Sequence, residues 1–214
     1  MKMCIDIDQT IATGFLGETV EESLAHYRAR QVAIPPDVRH YKDFFGLPEV
    51  IRIHEEIPNA LYALQHLEQT GQHDIGYFTV RHSDDRMQQE KIRVNTRRWL
   101  AEHHFPRADN VSFFIGMPAK LYDIGKHIRK ENQPLVMIDD SWEKVLDAYV
   151  RIQHVDPLVA QSLATHLVLF AFGATQSSLP TSAPITLRAL PDWAEESVKE
   201  CFNAIDPDPQ LSTL

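Results

Sequence analysis

The sequence is poor in cysteine and glycine, and it has no long hydrophobic run. Its two cysteines, Cys4 and Cys201, lie at opposite ends of the chain, and without a Cys-x-x-Cys pattern they do not indicate a disulfide framework. The longest apolar run, 167–172, is far shorter than the roughly 20 residues that cross a bilayer. The glycines form neither a Gly-x-x-x-x-Gly-Lys-Ser/Thr loop nor a Gly-x-Gly-x-x-Gly fingerprint, which disfavours ATP as a cofactor.

Basic residues are fewer than acidic ones, 21 against 30, and the formal net charge is −9. This balance disfavours non-specific binding to nucleic acid or to an anionic membrane. The chain enters a strand pattern at once, with no apolar signal region before it, so we expect a cytoplasmic protein with no membrane partner. The histidines have no His-x-x-x-His or comparable spacing, so we interpret them as surface or core residues and expect no zinc.

The most informative feature is an apolar strand pattern that ends in acidic residues, Cys-Ile-Asp-Ile-Asp-Gln-Thr-Ile at 4–11. Because side chains alternate along a strand, Asp6 and Asp8 are expected to project to one side where the strand leaves the sheet. Ligands bind at the carboxyl ends of strands in open α/β sheets, so this pair is well placed for chemistry. The alternative is an ordinary acidic turn.

A second apolar run, 134–138, ends in the paired carboxylates of Asp139 and Asp140. Two acidic strand ends side by side would repel each other by several kcal/mol unless a cation neutralised them. Hard oxygen ligands with no cysteine or histidine nearby are typical of Mg²⁺. The sequence therefore predicts a magnesium site.

Two further polar residues lie between the acidic motifs. The strand pattern that begins at Ile75 ends at the hydroxyl of Thr79, and Lys120 opens a helical stretch before the second acidic pair, with Lys126 as a competing candidate for the same role. Two residues after Thr79, Arg81 has two interpretations: it binds a substrate phosphate, or it pairs with the acidic residues at 84–85.

These four motifs, in this chain order, resemble the haloacid dehalogenase superfamily, of the phosphatase type with a small cap after the first strand. The resemblance covers essentially the whole length. It implies an α/β fold, a Rossmann-like three-layer α/β/α mostly parallel sheet with a small, mainly helical cap insertion. The core domain would comprise residues 1–11 and 57–214, and the cap residues 12–56. Gln9 departs from the commonest pattern, which has glycine there, and this questions the geometry of the turn more than the chemistry.

The resemblance also assigns roles to residues. Asp6 is implied as the nucleophile and Asp8 as the acid and base, with Thr79 and Lys120 completing the catalytic set. The implied substrate-binding residues are Thr10, Thr79, Val80, Arg81 and Lys120. The implied metal site consists of Asp6, Asp8, Asp140 and Asp139. Asp8 would bind the metal through its backbone carbonyl, and whether Asp139 or Asp140 is the direct ligand stays open.

The expected function is Mg²⁺-dependent hydrolysis of a small phosphorylated metabolite through an aspartyl-phosphate. Nucleoside monophosphates are one candidate class, because the layout is similar to the deoxyribonucleotidase branch. The cap aromatics could stack on a base or form the core of the cap: Tyr27, Tyr41, Phe44 and Phe45. The alternatives are a nucleic-acid end phosphatase, supported by the basic run at 91–98, and a non-catalytic protein that binds a phosphorylated ligand.

Alternating strand and helix patterns complete the prediction. The predicted strands are 2–7, 75–79, 111–115, 134–139, 166–172 and 185–190, and the segment 173–184 is predicted as a surface loop. The predicted helices are 18–30, 57–71, 84–104, 120–130, one capped by Ser141, and a last one that begins at Pro191 and carries Trp193, Val198 and Phe202.

Overall fold

Six parallel strands form one sheet in the computed structural model, which describes residues 1–14, 19–36, 38 and 41–203. The side chains of residues 41, 42 and 200–203, and with them the predictions for Tyr41, Cys201 and Phe202, lie outside this description. The strand order is β3-β2-β1-β4-β5-β6. The strands are β1 (Lys2–Ile5), β2 (Asp74–Thr79), β3 (Val111–Phe113), β4 (Leu135–Asp139), β5 (Leu167–Phe172) and β6 (Thr186–Leu190). The predicted α/β class is confirmed.

Helices cover both faces of the sheet. They are α1 (Val20–Ala29), α2 (Pro48–Arg52), α3 (Ala60–Gln69), α4 (Arg86–Glu102), α5 (Met117–Glu131), α6 (Trp142–Val155), α7 (Pro157–His166) and α8 (Glu195–Asn203). Apolar residues of α3, α4 and α8 pack on one face, and those of α5, α6 and α7 pack on the other. None of the described helices is long and apolar enough to cross a lipid bilayer.

The central strand β1 shows why a nearly continuous apolar run is needed. Met3 and Ile5 belong to the core under α3 and α4, whereas Cys4 belongs to the core under α5 and α6. Because successive side chains point to opposite faces, a strand covered on both sides must be apolar at every position. The run ends where the chain leaves the sheet, and the acidic residues begin there.

Residues 20–53 carry a small core of their own, built around Tyr27, Val32, Phe44 and Val50. Two short chain segments connect this region to the sheet, and they pair with each other. The amide of Thr13 donates to the carbonyl of Glu55 at 2.8 Å, and a second amide, at residue 57, donates to the carbonyl of residue 11 at 2.9 Å. Both connections therefore leave the core as one paired ribbon, close to the predicted cap boundaries.

Several elements differ from the prediction. β1 ends at Ile5 instead of residue 7, because the carbonyl of Ile7 accepts the amides of residues 11 and 12 in a turn. β3 ends at Phe113, and helix α1 begins at Val20, while residue 18 lies outside the described part. A 3₁₀ segment at Tyr41–Gly46 and the short helix α2 were not predicted.

Helix α7 was missed, and the last helix begins later than predicted. The carboxylate of Asp156 accepts the amide of Val159 at 3.2 Å and caps α7, and Pro157 occupies its first turn. At the last helix, Trp193 lies in the loop before α8. Its Nε1 donates to the carbonyl of Thr10 at 2.7 Å, so a core contact near the start of the chain holds this tryptophan.

Close contact between α5 and α7 generates the first prediction. A Cβ atom on Gly125 would lie 2.5 Å from Val159 Cγ1 and 3.0 Å from Leu163 Cγ. Although Ala is the better helix former, we expect Gly125→Ala to lower the free energy of unfolding by about 1–3 kcal/mol through overpacking. Urea unfolding measures this, and Arg129→Ala, exposed on the same helix, should change it by less than about 0.5 kcal/mol. A stabilised Gly125→Ala protein would contradict the packing.

Candidate active site

The polar residues predicted from the sequence meet at the carboxyl edge of the three central strands. β1 lies between β2 and β4, and Ile5 is paired with Ile138, which places Asp6 beside Asp139. The ladder continues one residue further, because the amide of Asp6 donates to the carbonyl of Ile138 at 2.9 Å. Thr79 ends β2 on the other side of β1. Three segments far apart in the sequence therefore contribute to one site.

Lys120 joins the two acidic strand ends. Its Nζ donates to Asp6 Oδ1 at 2.6 Å and to Asp139 Oδ2 at 2.7 Å, and the side chain is fully buried near the start of α5. Burial alone would lower the pKa of this ammonium, but the charges of the two carboxylates outweigh burial and raise it above its usual value. The competing candidate, Lys126, is exposed and has its Nζ 5.8 Å from the centre of the Tyr122 ring.

Three carboxylates lie close together here, and their negative charge exceeds the positive charge of the one ammonium. Oxygens of Asp6, Asp139 and Asp140 all lie within 4.8 Å of one another. Burial raises the pKa of Asp6, and the negative charges of Asp139 and Asp8 raise it further. The positive charge of Lys120 acts in the opposite direction, but the pKa of Asp6 still lies well above its usual value. With all three acids ionised, the cluster and Lys120 carry two net negative charges. One divalent cation would balance them, and oxygen donors suit such an ion, so this triad can hold a metal.

The two acids of the second motif are held differently. Both oxygens of Asp139 accept a hydrogen bond, Oδ2 from Lys120 and Oδ1 from the amide of Ser141 at 2.9 Å. Asp140 is half-buried, and its amide donates to the hydroxyl of Thr10 at 3.2 Å. Burial, then the charges of Asp139 and Asp8, raises the pKa of Asp140 to about 6. This contrast favours Asp140 as the direct metal ligand and Asp139 as the residue that holds Lys120.

Asp8 has a different cation, Arg81. The guanidinium donates through Nε to Asp8 Oδ2 at 2.9 Å and through a terminal nitrogen to Oδ1 at 2.6 Å, in a two-pronged pair. Its other terminal nitrogen donates to Thr96 Oγ1 at 3.0 Å, and its centre lies 4.4 Å from the Phe45 ring centre. Burial would raise the pKa of Asp8, but the charge and hydrogen bonds of Arg81 lower it overall.

The alternative pairing proposed for Arg81 is wrong. Asp84 lies 3.3 Å from the ring nitrogen of His82, and Asp85 caps α4 by accepting the amide of Gln88 at 2.8 Å. Arg81 is only 1% exposed, because its position at the end of β2 directs it inward toward Asp8.

The turn after Asp8 explains the unusual Gln9. This residue has φ = +57°, a left-handed conformation that glycine adopts without strain. Its side-chain amide donates to the carbonyl of Gly14, which closes the loop. Gly14 itself has no room for a side chain, because a Cβ atom would lie 2.0 Å from Asp8 Oδ1. The loop therefore passes close to the Asp8 carboxylate, and only glycine fits at position 14.

Thr79 is fully buried, and among the described residues its hydroxyl has no hydrogen-bond partner. A buried hydroxyl without a partner costs roughly 1–3 kcal/mol, and the hydroxyl of Thr79 is free to donate to a ligand as far as the described residues show. Val80 follows at the strand end and is half-buried, and the hydroxyl of Thr10 is used by Asp140. The structure brings all the predicted site residues to one edge, while their roles stay predictions.

His54 is a core residue, one of the two placements that the sequence analysis gave for the histidines, and it lies beside the site. It is 4% exposed and belongs to the segment that returns from the cap. Burial and the charge of Arg81 lower its pKa to about 4, so the ring is neutral at pH 7. No spacing pattern in the sequence marks this residue, because its neighbours in the site come from other segments.

Comparison with known proteins adds a weak likeness. No family model and no curated protein matches the chain. Eleven chains of solved structures match, among them a protein from Burkholderia xenovorans LB400 assigned as a haloacid dehalogenase-like hydrolase. It is 14% identical, covers 92% of this chain and 96% of its own, and has a TM-score of 0.45. The match lies in the superfamily that the motifs resemble, but at this similarity its activity does not transfer to this chain.

The buried Lys120 generates a prediction for stability. Replacing it by methionine leaves Asp6 and Asp139 buried without their cation, so we expect Lys120→Met to lower the free energy of unfolding by about 3–5 kcal/mol. Urea unfolding in EDTA measures the loss. The matched control is Lys126→Met, on the exposed side of the same helix, which should change stability by less than about 0.5 kcal/mol. Equal losses for the two variants would contradict the ion triad.

The acidic triad generates a prediction for metal binding. We expect Mg²⁺ at 100 times its dissociation constant to stabilise the protein by about 2.7 kcal/mol, a rise of roughly 5–10 °C in the thermal midpoint. Asp140→Asn should reduce this rise, because it removes one charged ligand. Asp147→Asn, exposed on α6, should leave the rise as in the wild type. A rise that survives Asp140→Asn in full would place the ion elsewhere.

Because the pKa of Asp140 is raised, the stabilisation by Mg²⁺ should depend on pH. Between its ordinary value of 3.8 and about 6, the folded protein holds a proton that the unfolded chain has lost. The contribution of Asp140 to the stability of the metal-free protein therefore falls as the pH rises through this window. Because Mg²⁺ binds the ionised carboxylate, its stabilising effect should grow over the same window. Thermal scans of the wild type and of Asp140→Asn, with and without Mg²⁺, measure both trends, and a metal effect of equal size at either end would contradict them.

Proposed function

We propose that this protein is a Mg²⁺-dependent phosphomonoester hydrolase that acts through an aspartyl-phosphate on Asp6. One observation carries the proposal: the buried carboxylate of Asp6, held by Lys120 at 2.6 Å, lies at the same sheet edge as the hydroxyl of Thr79, which has no partner among the described residues. A fixed carboxylate at the same edge as a donor for a phosphoryl oxygen is suited to nucleophilic attack on phosphorus.

In the first half of the reaction, an oxygen of Asp6 forms a bond to phosphorus as the bond to the leaving oxygen breaks. Asp8 is ionised while it is paired with Arg81, so it must first take up a proton; it then protonates that oxygen, and an alcohol departs. In the second half, Asp8 takes a proton from water, which attacks the aspartyl-phosphate and releases inorganic phosphate and free Asp6. The pairing with Arg81 holds the Asp8 side chain at this edge of the sheet, and one of its hydrogen bonds must open for Asp8 to carry a proton.

Other residues would hold the phosphoryl group and balance its charge. Thr79 donates its hydroxyl, and Val80 its amide, to phosphoryl oxygens, while Lys120 supplies positive charge at Asp6. Asp140 and Asp6 would hold Mg²⁺, together with the backbone carbonyl of Asp8. When bound, Mg²⁺ supplies the positive charge that lets an anionic phosphate approach a carboxylate nucleophile.

The proposed substrate is a small phosphorylated metabolite. Tyr27 and Phe44 are fully buried and stack on each other, with ring centres 5.5 Å apart. Phe45 lies against the guanidinium of Arg81. These three aromatics serve the core of the cap and the Asp8 pair, which weakens the case for stacking on a base. Nucleoside monophosphates therefore belong in a screen as one class among several.

Part of the basic run on α4 is used within the protein. Arg93 lies 3.9 Å from the carboxylate of Glu90, and the guanidinium of Arg97 lies over the Phe113 ring at 5.9 Å. This weakens the main observation in favour of a nucleic-acid end phosphatase, which the net charge of −9 also disfavours.

The nucleophile generates the test of this function. We expect purified protein with Mg²⁺ to release phosphate from at least one member of a panel of phosphomonoesters, and Asp6→Asn to lower that activity by about 10⁴-fold or more. With a phosphate-labelled substrate and an acid quench, the wild type should carry covalent label and Asp6→Asn none. The label and the released phosphate are measured in the same reaction.

The matched control is Asp147→Asn, the same exchange on the exposed side of α6, which should keep wild-type activity and label. Turnover by Asp6→Asn at the wild-type rate would remove Asp6 as the nucleophile. Activity that is absent for the whole panel in the wild type would refute the hydrolase itself.

A further inference from the structure

His54 connects the cap to the site. The carbonyl of His54 accepts Nε1 of Trp99 at 3.0 Å, which anchors its backbone to α4. Its Nε2 lies 3.4 Å from the hydroxyl of Tyr27, a residue of the small core of the cap. The edge of its ring also packs on Phe45, with centres 6.0 Å apart. The imidazole is therefore held in one orientation by residues of both regions.

The imidazole lies next to Asp8. The Cβ position of Gly14 would be 2.0 Å from Asp8 Oδ1 and 3.3 Å from His54 Cε1. The carboxylate and the ring thus face each other across a glycine, with no side chain at position 14 to separate them. Asp8 is the residue proposed to protonate the leaving oxygen, so the space beside it is where the leaving group must lie.

The second ring nitrogen of His54, Nδ1, makes no hydrogen bond within the described part of the protein. Nδ1 is buried and lacks a hydrogen-bond partner among these residues. It is bonded to Cε1, the atom that faces Asp8 across Gly14. An apolar ring of the same shape would avoid the cost of an unpaired buried nitrogen, roughly 1–3 kcal/mol. A buried polar atom that has no partner among the described residues is available for a ligand contact.

We propose that His54 is a specificity-determining residue whose Nδ1 hydrogen-bonds a hydroxyl of the leaving group, which selects phosphate esters of polyhydroxylated alcohols. This inference rests on the proposed hydrolase function and adds the class of alcohol to it. A neutral imidazole can donate or accept through Nδ1, according to the tautomer that Tyr27 imposes at Nε2. A hydroxyl, which does both, fits either tautomer.

A pair of substrates that differ by hydroxyl groups tests the inference. The smallest pair is glycerol 3-phosphate and propyl phosphate; a better hydroxylated substrate from the screen is paired with its own deoxy analogue. We expect the wild type to prefer the hydroxylated member in kcat/KM by about tenfold or more. His54→Phe should reduce this preference to about one, because the ring shape is kept and the nitrogen is lost.

Two conservative variants separate this contact from a structural role. An asparagine side chain places a polar atom near the position of Nδ1, whereas a glutamine side chain places one near Nε2. We expect His54→Asn to keep most of the preference and His54→Gln to lose it. If the histidine serves only to hold Tyr27, the opposite order follows and the inference is overturned. These variants also decide the matter if His54→Phe does not fold.

The matched control is His154→Phe, at an exposed position on α6, which should keep the wild-type preference. A wild type that hydrolyses phosphate esters without preferring the hydroxylated member would refute the inference and leave the hydrolase intact. The same holds if His54→Phe lowers kcat/KM equally for both members. A wild type that hydrolyses no ester at all would refute both.

Discussion

The fully buried ammonium of Lys120, between the carboxylates of Asp6 and Asp139, is the interaction on which the site depends. Burying three charged groups is costly, and it is tolerated only where close pairing compensates the lost hydration. The pairing requires β1, β4 and α5 to meet, so the site can form only when the centre of the sheet is complete. The same arrangement leaves excess negative charge beside Asp140, and this excess makes the cluster able to hold a cation.

The strands could be predicted because a parallel sheet covered on both faces needs apolar residues at every position, and such runs are visible in the sequence. Element ends were less accurate. Helix α7 was missed because its apolar composition merges with β5, although Asp156 and Pro157 mark its start. The late start of α8 depends on Trp193, which is held by a carbonyl 183 residues away along the chain. Contacts of that range leave no local pattern.

The candidate site also contains residues that could be predicted from the sequence and contacts that could not. Asp6 and Asp139 were predictable because strand ends must converge in this type of sheet. The partner of Asp8 was not, because Arg81 follows a different strand and two nearer acids competed for it. Counter-ions from different elements, Lys120 and Arg81, now separate two carboxylates that are neighbours in sequence: the pKa of Asp6 is raised and that of Asp8 is lowered. Roles that a motif assigns by position thus depend on tertiary contacts.

The region with its own small core, and the segment that returns from it, take part in this electrostatic arrangement. Phe45 packs on the guanidinium that pairs with Asp8, and His54 faces the same carboxylate across Gly14. The two connecting segments are hydrogen-bonded to each other at Thr13 and Glu55, so neither can move without the other. Phe45 also packs in the core with α3 and α4, and Trp99 of α4 donates to the carbonyl of His54, so both residues are attached to the sheet side as well. The electrostatic surroundings of Asp8 therefore depend on contacts between this region and the helices that cover the sheet.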